Sequence, residues 1–222
     1  MSNTISNTIY NGQLPSIFRI LLCGQSMSGK TSVAHKIIAD KNRLLEKRFE
    51  RLIYLRNIET EQESFLRNYF GDNMLVFDGI PSQEELLPIL QDNSKNTLLF
   101  IEDLDSSAFN SSFISRIYKV LSHHLKFSVI TTTQNCFSSG TEKLTLIRNS
   151  THILIFGNDL DHSIIRSLAS RLHPEKPKAF INLFNDVTSR EPFSYISVWS
   201  NCNSLLRFRS HITESVQKIY LL

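Results

Sequence analysis

Leu21-Leu22-Cys23-Gly24-Gln25-Ser26-Met27-Ser28-Gly29-Lys30-Thr31-Ser32 is the stretch whose reading decides the fold. Gly24 and Gly29 bracket four residues and are followed at once by Lys30-Thr31, which completes the spacing G-x-x-x-x-G-K-S/T. A loop that curls around a triphosphate must turn its backbone N–H groups inward, and glycine permits both the dihedrals and the close approach. The helix behind it adds unpaired N–H donors and a partial positive charge at its N-terminus. In that arrangement Lys30 reaches the β- and γ-phosphates of ATP, and the Thr31 hydroxyl holds Mg2+. Gly24, Gln25, Ser26, Met27, Ser28, Gly29, Lys30, Thr31 and Ser32 are thus the expected nucleotide-binding residues.

Both flanks suit this reading. Ile17 to Cys23 is a β-prone run, and Ser32 to Ile38 has helical spacing. Further along, Leu52–Leu55, Met74–Phe77, Asn96–Ile101, Phe127–Thr132 and His152–Phe156 read as strands. Between them, Glu59–Tyr69 and Phe113–Leu125 have helical periodicity, and Pro81-Ser82-Gln83-Glu84-Glu85 opens another helix with a serine cap and first-turn acids. Helices are also expected over Asp161–Leu172 and Lys178–Val187. The tail changes character, because Tyr195–Trp199 and Ser204–Phe208 flank Asn201-Cys202-Asn203 and read as a hairpin. Strands alternating with helices predict an α/β fold, a P-loop NTPase three-layer sandwich with a mainly parallel central sheet and a C-terminal antiparallel hairpin addition. The expected organisation is a flexible N-terminal arm over residues 1–14 and a single domain over 15–222.

Composition excludes rather than selects. The chain of 222 residues is 41% hydrophobic and 20% charged, ordinary for a globular protein. A net charge of +3 is too mild to announce a nucleic-acid binder, so any DNA-contacting surface must be local. The charge-rich segment Lys41–Arg51 mixes both signs and reads better as a solvated face than as a DNA contact. Cys23, Cys136 and Cys202 lie far apart without metal-ligand spacing, which predicts a reducing compartment and no structural disulfide. No run reaches transmembrane length and the N-terminus has no apolar signal core, so a soluble intracellular protein is expected.

Hydrolysis requires more than a phosphate loop. The apolar strand ending at Ile101 is followed by Glu102-Asp103, and strand ends of parallel sheets are where α/β folds place their ligands. One carboxylate there can hold the Mg2+ shell while the other polarises the attacking water. Glu102 is assigned to the metal and Asp103 to the water, with exchanged or shared roles left open. A strand-terminating acidic turn is the alternative. Gln134 ends the next strand, where an amide can donate to a phosphate oxygen and accept from water.

Ser122-His123-His124 leading into Ser128-Val129-Ile130, then Thr133-Gln134-Asn135-Cys136-Phe137, resembles the short DNA-packaging ATPases of the FtsK/HerA superfamily. The likeness is greatest to those of Polinton-like elements and adintoviruses, with poxvirus and giant-virus enzymes more distant. It continues through Asn149–Phe156, Ser167-Leu168-Ala169, Phe184–Thr188, Pro192–Tyr195 and Leu206–Arg209. The resemblance implies an ATPase that assembles as a hexameric ring at a viral capsid or portal vertex and drives double-stranded DNA inward, in the nucleus or cytoplasm of the host cell or on the virion. By position, it gives Gln134 the role of sensor and leaves the arginine finger to Arg148, Arg166 or Arg171, with Arg148 first. The family often has two aspartates where this chain has Glu102-Asp103, and a basic residue after the strand where this chain reads Gly157-Asn158-Asp159-Leu160-Asp161. Gly140-Thr141-Glu142-Lys143 is the expected pore-facing loop. Two readings from other classes stay open: a small-molecule phosphotransferase, which would need an acceptor pocket and a lid, and a nucleotide-gated assembly protein in which ATP is a clamp. His123-His124 is read as a helix C-terminus rather than a metal site, and Phe193, Tyr195 and Trp199 as hairpin core rather than base-stacking groups.

Overall fold

The computed structural model describes residues 12–40, 43–61, 63–103, 111–134, 146–157, 161–200, 202, 204–214 and 217–222. The order is β1 (Arg19–Cys23), α1 (Lys30–Ile38), β2 (Arg51–Arg56), α2 (Glu63–Phe70), β3 (Met74–Asp78), α3 (Gln83–Gln91) and β4 (Thr97–Ile101). Helix α4 then starts as Ser112–Arg116, widens into a π-helical turn over Ile117–Leu121 and closes as Ser122–His124. It leads to β5 (Ser128–Thr133), β6 (His152–Phe156), α5 (His162–Leu172), α6 (Pro177–Thr188), β7 (Tyr195–Trp199), β8 (Phe208–Ser210) and β9 (Lys218–Tyr220). The described strands form one sheet in the order β3-β2-β4-β5-β1-β6-β7-β8-β9. It is parallel from β3 through β6 and antiparallel from β6 to β9. This is the expected α/β sandwich with a C-terminal antiparallel addition.

Two apolar layers cover the sheet, and strand alternation decides which residue enters which. Ile20, Leu22, Tyr54, Leu98 and Phe100 face α1 and α2, packing on Val33, Ala34, Ile37 and Leu66. Leu21, Cys23, Ile53, Leu99 and Ile101 face the other way, against Leu86, Ile117, Leu168 and Phe180 of α3 to α6. The strands buried on both faces are the continuous apolar runs of the sequence. Side-chain caps make the starts of α3, α4 and α5, with Ser111 Oγ accepting from Phe113 N on α4. Ser82 and Glu85 form a reciprocal capping box on α3, and the Asp161 carboxylate accepts from Ser163 N at 2.7 Å on α5.

Several details depart from the sequence reading. Helix α2 begins at Glu63 rather than Glu59, because Glu63 is buried in an ion pair with Arg56 that fixes the first turn. Its apolar stripe is therefore Leu66 and Phe70, leaving Phe65 46% exposed. The second hairpin strand starts only at Phe208, since a 3-10 turn over Ser204–Leu206 takes up the preceding residues, and a short third strand, β9, follows. Leu14, assigned to the arm, is buried and bridged to Leu45, and Gly12 O accepts from Gln217 Nε2. In the charge-rich segment, Arg51 is buried and bonded to Asp92 and Thr97, while Arg43 donates to the Ile212 and Glu214 carbonyls. Cys23 is the fully buried strand-end residue expected, and Cys136 lies outside the described residues. No helix among the described residues is long and apolar enough to cross a membrane.

Candidate active site

The phosphate loop leaves β1 at Cys23 and enters α1 at Lys30. Gly24 N donates to Thr133 O at 3.1 Å, tying the start of the loop to the tip of β5. A Cβ at Gly24 would stand 2.7 Å from Phe156 Cβ and 2.8 Å from Ser28 Oγ, so only glycine lets the chain pass. Met27 and Gly29 take left-handed backbone conformations, with φ of 60° and 93°. Gly29 caps α1 without any side-chain hydrogen bond, which leaves the first-turn N–H groups to an external acceptor. The Ser28 hydroxyl is buried and has no hydrogen-bond partner among the described residues. Lys30 is buried, and its Nζ donates to Gln25 O at 2.8 Å, folded back on its own loop. Burial pushes the Lys30 ammonium below its ordinary range, partly offset by the carboxylates of Asp103 and Glu102.

The acids come to this loop by topology. Strand β5 lies between β1 and β4, so the tips of all three strands open on one edge. Alternation past Leu98 and Phe100 puts Glu102 on the α1 side, and there Thr31 Oγ1 donates to Glu102 Oε1 at 2.7 Å. The Tyr54 hydroxyl donates to Glu102 Oε2, and the phenol is pushed far up by burial first and by that carboxylate second. Glu102 N donates to Leu55 O at 2.8 Å. Asp103 turns away in a left-handed conformation, φ 42°, which aspartate tolerates better than most residues. Its N–H donates to Thr132 Oγ1 at 3.0 Å, its carbonyl accepts from Asn57 Nδ2 at 3.1 Å, and its Oδ2 accepts from Gln134 Nε2 at 3.0 Å. Lys30, Thr31, Glu102, Asp103 and Gln134, far apart in sequence, thus gather at one edge of the sheet.

Beside the loop opens a cleft of 670 Å³. One wall is Met27, Lys30, Val33 and Lys36; the other is Glu191 to Tyr195 with His211, Thr213 and Glu214. Phe193 belongs to this wall. It is 58% exposed, has φ 62° and packs against Gly29, which corrects its assignment to the hairpin core. Tyr195 and Trp199 are buried in that core. Sequence reasoning missed Tyr54, Asn57 and Thr132 as partners of the acids.

Other candidates fall elsewhere. Residues 146–149 form a helical turn that feeds the start of β6, where Thr151 N donates to Arg19 O and Arg19 Nε to Asn149 O. Arg148 therefore sits, exposed, at the start of the parallel strands, about 15 Å from the loop end across the length of β1. It does not join the phosphate loop of its own chain. Arg166 and Arg171 lie on the exposed side of α5. Gly140 to Lys143 lie outside the described residues. His123 and His124 end α4 exposed, with their rings nearly perpendicular.

The donor set fits a nucleotide with a hard divalent cation. Glycine-bounded backbone, an uncapped helix N-terminus, an orphan Ser28 hydroxyl and a lysine suit phosphate oxygens. A hydroxyl and a carboxylate 2.7 Å apart suit Mg2+, which keeps waters and phosphate oxygens in its shell rather than an all-protein cage. Among the described residues, no group of three or more His, Cys, Asp or Glu side chains could hold a metal.

Fold and loop together define an α/β sandwich of the P-loop NTPase type. Solved structures carry the same fold at low identity. The genome packaging NTPase B204 from Sulfolobus turreted icosahedral virus 2, in complex with ATP-gammaS, superposes with a TM-score of 0.58 and 12% identity over 94% of this chain and 98% of that one. Its sulfate complex gives 0.57 and 12% over 89% and 97%. The cytoplasmic domain of the Thermomonospora curvata type VII secretion ATPase EccC gives 0.50 and 9%, over 90% of this chain and 25% of its own. No protein-family description matches the chain, and no curated protein does.

Proposed function

We propose that this protein is an ATP-hydrolysing motor that translocates double-stranded DNA into a viral capsid as a ring oligomer, with residues 15–222 acting as one ATPase domain. The observation that carries the reading is the meeting of two separately held carboxylates with a phosphate loop: Glu102 on Thr31, Asp103 on Gln134. A binding-only clamp needs the loop but not a second, oriented acid.

Lys30 neutralises charge on the phosphates, and the α1 N-terminus and loop amides hold their oxygens. Thr31 and Glu102 would hold Mg2+, which would supply charge to draw electron density from the phosphates. Asp103 accepts the proton of the attacking water, and Gln134 keeps its carboxylate aimed while reporting the state of the phosphate end. The nucleoside lies in the cleft between Met27 and Phe193. Transition-state charge is completed by a guanidinium from a neighbouring subunit, with Arg148 the first candidate. Its position away from its own loop is compatible with action on a neighbour. The likeness of fold to B204, itself a genome packaging NTPase, supports the substrate, and the resemblance to Polinton-like and adintovirus enzymes supports a capsid or portal-vertex partner. The same reading puts the protein, soluble and intracellular, at sites of virion assembly in nucleus or cytoplasm.

Turnover of ATP with and without linear double-stranded DNA at low salt, where phosphate contacts are strongest, tests this directly. DNA is expected to raise the rate, and Lys30→Ala to abolish it. Unchanged turnover on DNA addition would sink the motor reading and leave the nucleotide-gated clamp.

A further inference from the structure

Glutamate carries one more rotatable bond than the aspartate more usual beside such loops, so its carboxylate needs more restraint to present one oxygen in one place. The fold supplies that restraint from the neighbouring strand. Tyr54 pairs in register with Phe100 on β4, and the two rings stack at 5.1 Å with planes 7° apart. The ring is buried and fixed by this contact. Glu102 stands two residues past Phe100, about 6.6 Å along the strand, a gap that the phenol hydroxyl bridges and a bare phenyl ring does not.

We infer that Tyr54 is a positioning residue for the divalent cation: by holding Oε2 of Glu102 it aims Oε1 at Thr31 and the metal. The inference rests on the ATPase reading above. A carboxylate has about four lone-pair sites, so two donors leave capacity for a cation-bound water or the cation itself. The Tyr54 hydroxyl also bonds the Thr60 side chain, which does not touch the cation site, so its effect on cation binding passes through Glu102 and has a signature distinct from packing.

The test is Tyr54→Phe, which keeps the ring stack and removes only the hydroxyl. Mn2+ binding to the protein–ADP complex is read by electron paramagnetic resonance, with ADP binding in EDTA and thermal melting alongside. Mn2+ affinity is expected to fall at least about fivefold, with metal-free ADP binding and melting near wild type. In a Glu102→Gln background the same change is expected to do nothing further. Wild-type Mn2+ affinity in Tyr54→Phe, or an undiminished effect in the Glu102→Gln background, would overturn the inference. A wild-type protein that fails to bind Mn2+ with ADP overturns the ATPase reading as well, so the two failures are distinguishable.

Discussion

On the acid side of the phosphate loop, Glu102 and Asp103 are held by Thr31, Tyr54, Gln134, Thr132 and Asn57, all from strand tips or the first turn of α1. On the hairpin side, Met27 and Phe193 stand 92% and 58% exposed around an open cleft. On the proposed function the difference is one of task. Groups that act on a reacting phosphate must be placed before substrate arrives, because reorganising them during the reaction adds to the barrier. Groups that admit a nucleoside need accessible apolar surface and tolerate a looser frame.

The comparison can be broken on its rigid side first. Lys30→Ala removes the only charge within the loop and is expected to lower turnover by about 10³-fold or more, read in a steady-state phosphate-release assay. Asp103→Asn keeps the hydrogen-bonding shape but cannot take a proton, and about a 10²-fold loss in kcat with nearly unchanged nucleotide affinity is expected. Equal loss of affinity and kcat would show that Asp103 serves binding. Gly24→Ala forces a methyl against Phe156 and Ser28, and overpacking of this kind costs about 1–3 kcal/mol. A roughly tenfold weaker ADP titration with a lowered melting temperature is expected. Phe193→Ala sharpens the other half, because a lost stacking face worth about 1 kcal/mol should raise KM about fivefold and leave kcat alone.

The last effect bears on stability and lies away from both sides. Burial, then the nearby Arg209 charge, holds His152 down to about 3, so it stays neutral when folded. Between that value and its ordinary one, the unfolded chain binds a proton the folded chain does not, so stability rises with pH through this window. The contribution is complete above about pH 6.5 and is lost as pH falls toward 3, at no more than about 1.4 kcal/mol per unit. His152→Gln should flatten the fall in urea midpoint between pH 7 and pH 5.

Much of this was legible in the chain because the physics is local. Doubly buried parallel strands need unbroken apolar runs, and Thr97–Ile101 and His152–Phe156 show them with a boundary error of at most a residue. A glycine-bounded loop before Lys30 is required by its own backbone geometry. Contacts across strands were not legible. Tyr54 in Arg51–Arg56 looks like any core tyrosine until β2 is known to lie beside β4. Phe193 reads as core because the sequence does not show that a left-handed turn throws it outward. Strand β9 is three residues long, too short to display a period. The place of Arg148 could have been derived, since a residue preceding a strand parallel to β1 must lie at the edge opposite the loop.

Thr132, Thr133 and Gln134 follow one another at the tip of β5, and each holds a different part of the centre: the Asp103 amide, the Gly24 amide and the Asp103 carboxylate. A single peptide tip is thereby tied to the glycine-bounded loop and to the Asp103 carboxylate together. Displacing residue 24 pulls on Thr133, and the pull reaches Asp103 through adjoining peptide planes on both sides. On the proposed reading, a shift of the loop on nucleotide binding would be felt at the Asp103 carboxylate through these adjoining peptides, a linkage by which a spent nucleotide could be told from a fresh one.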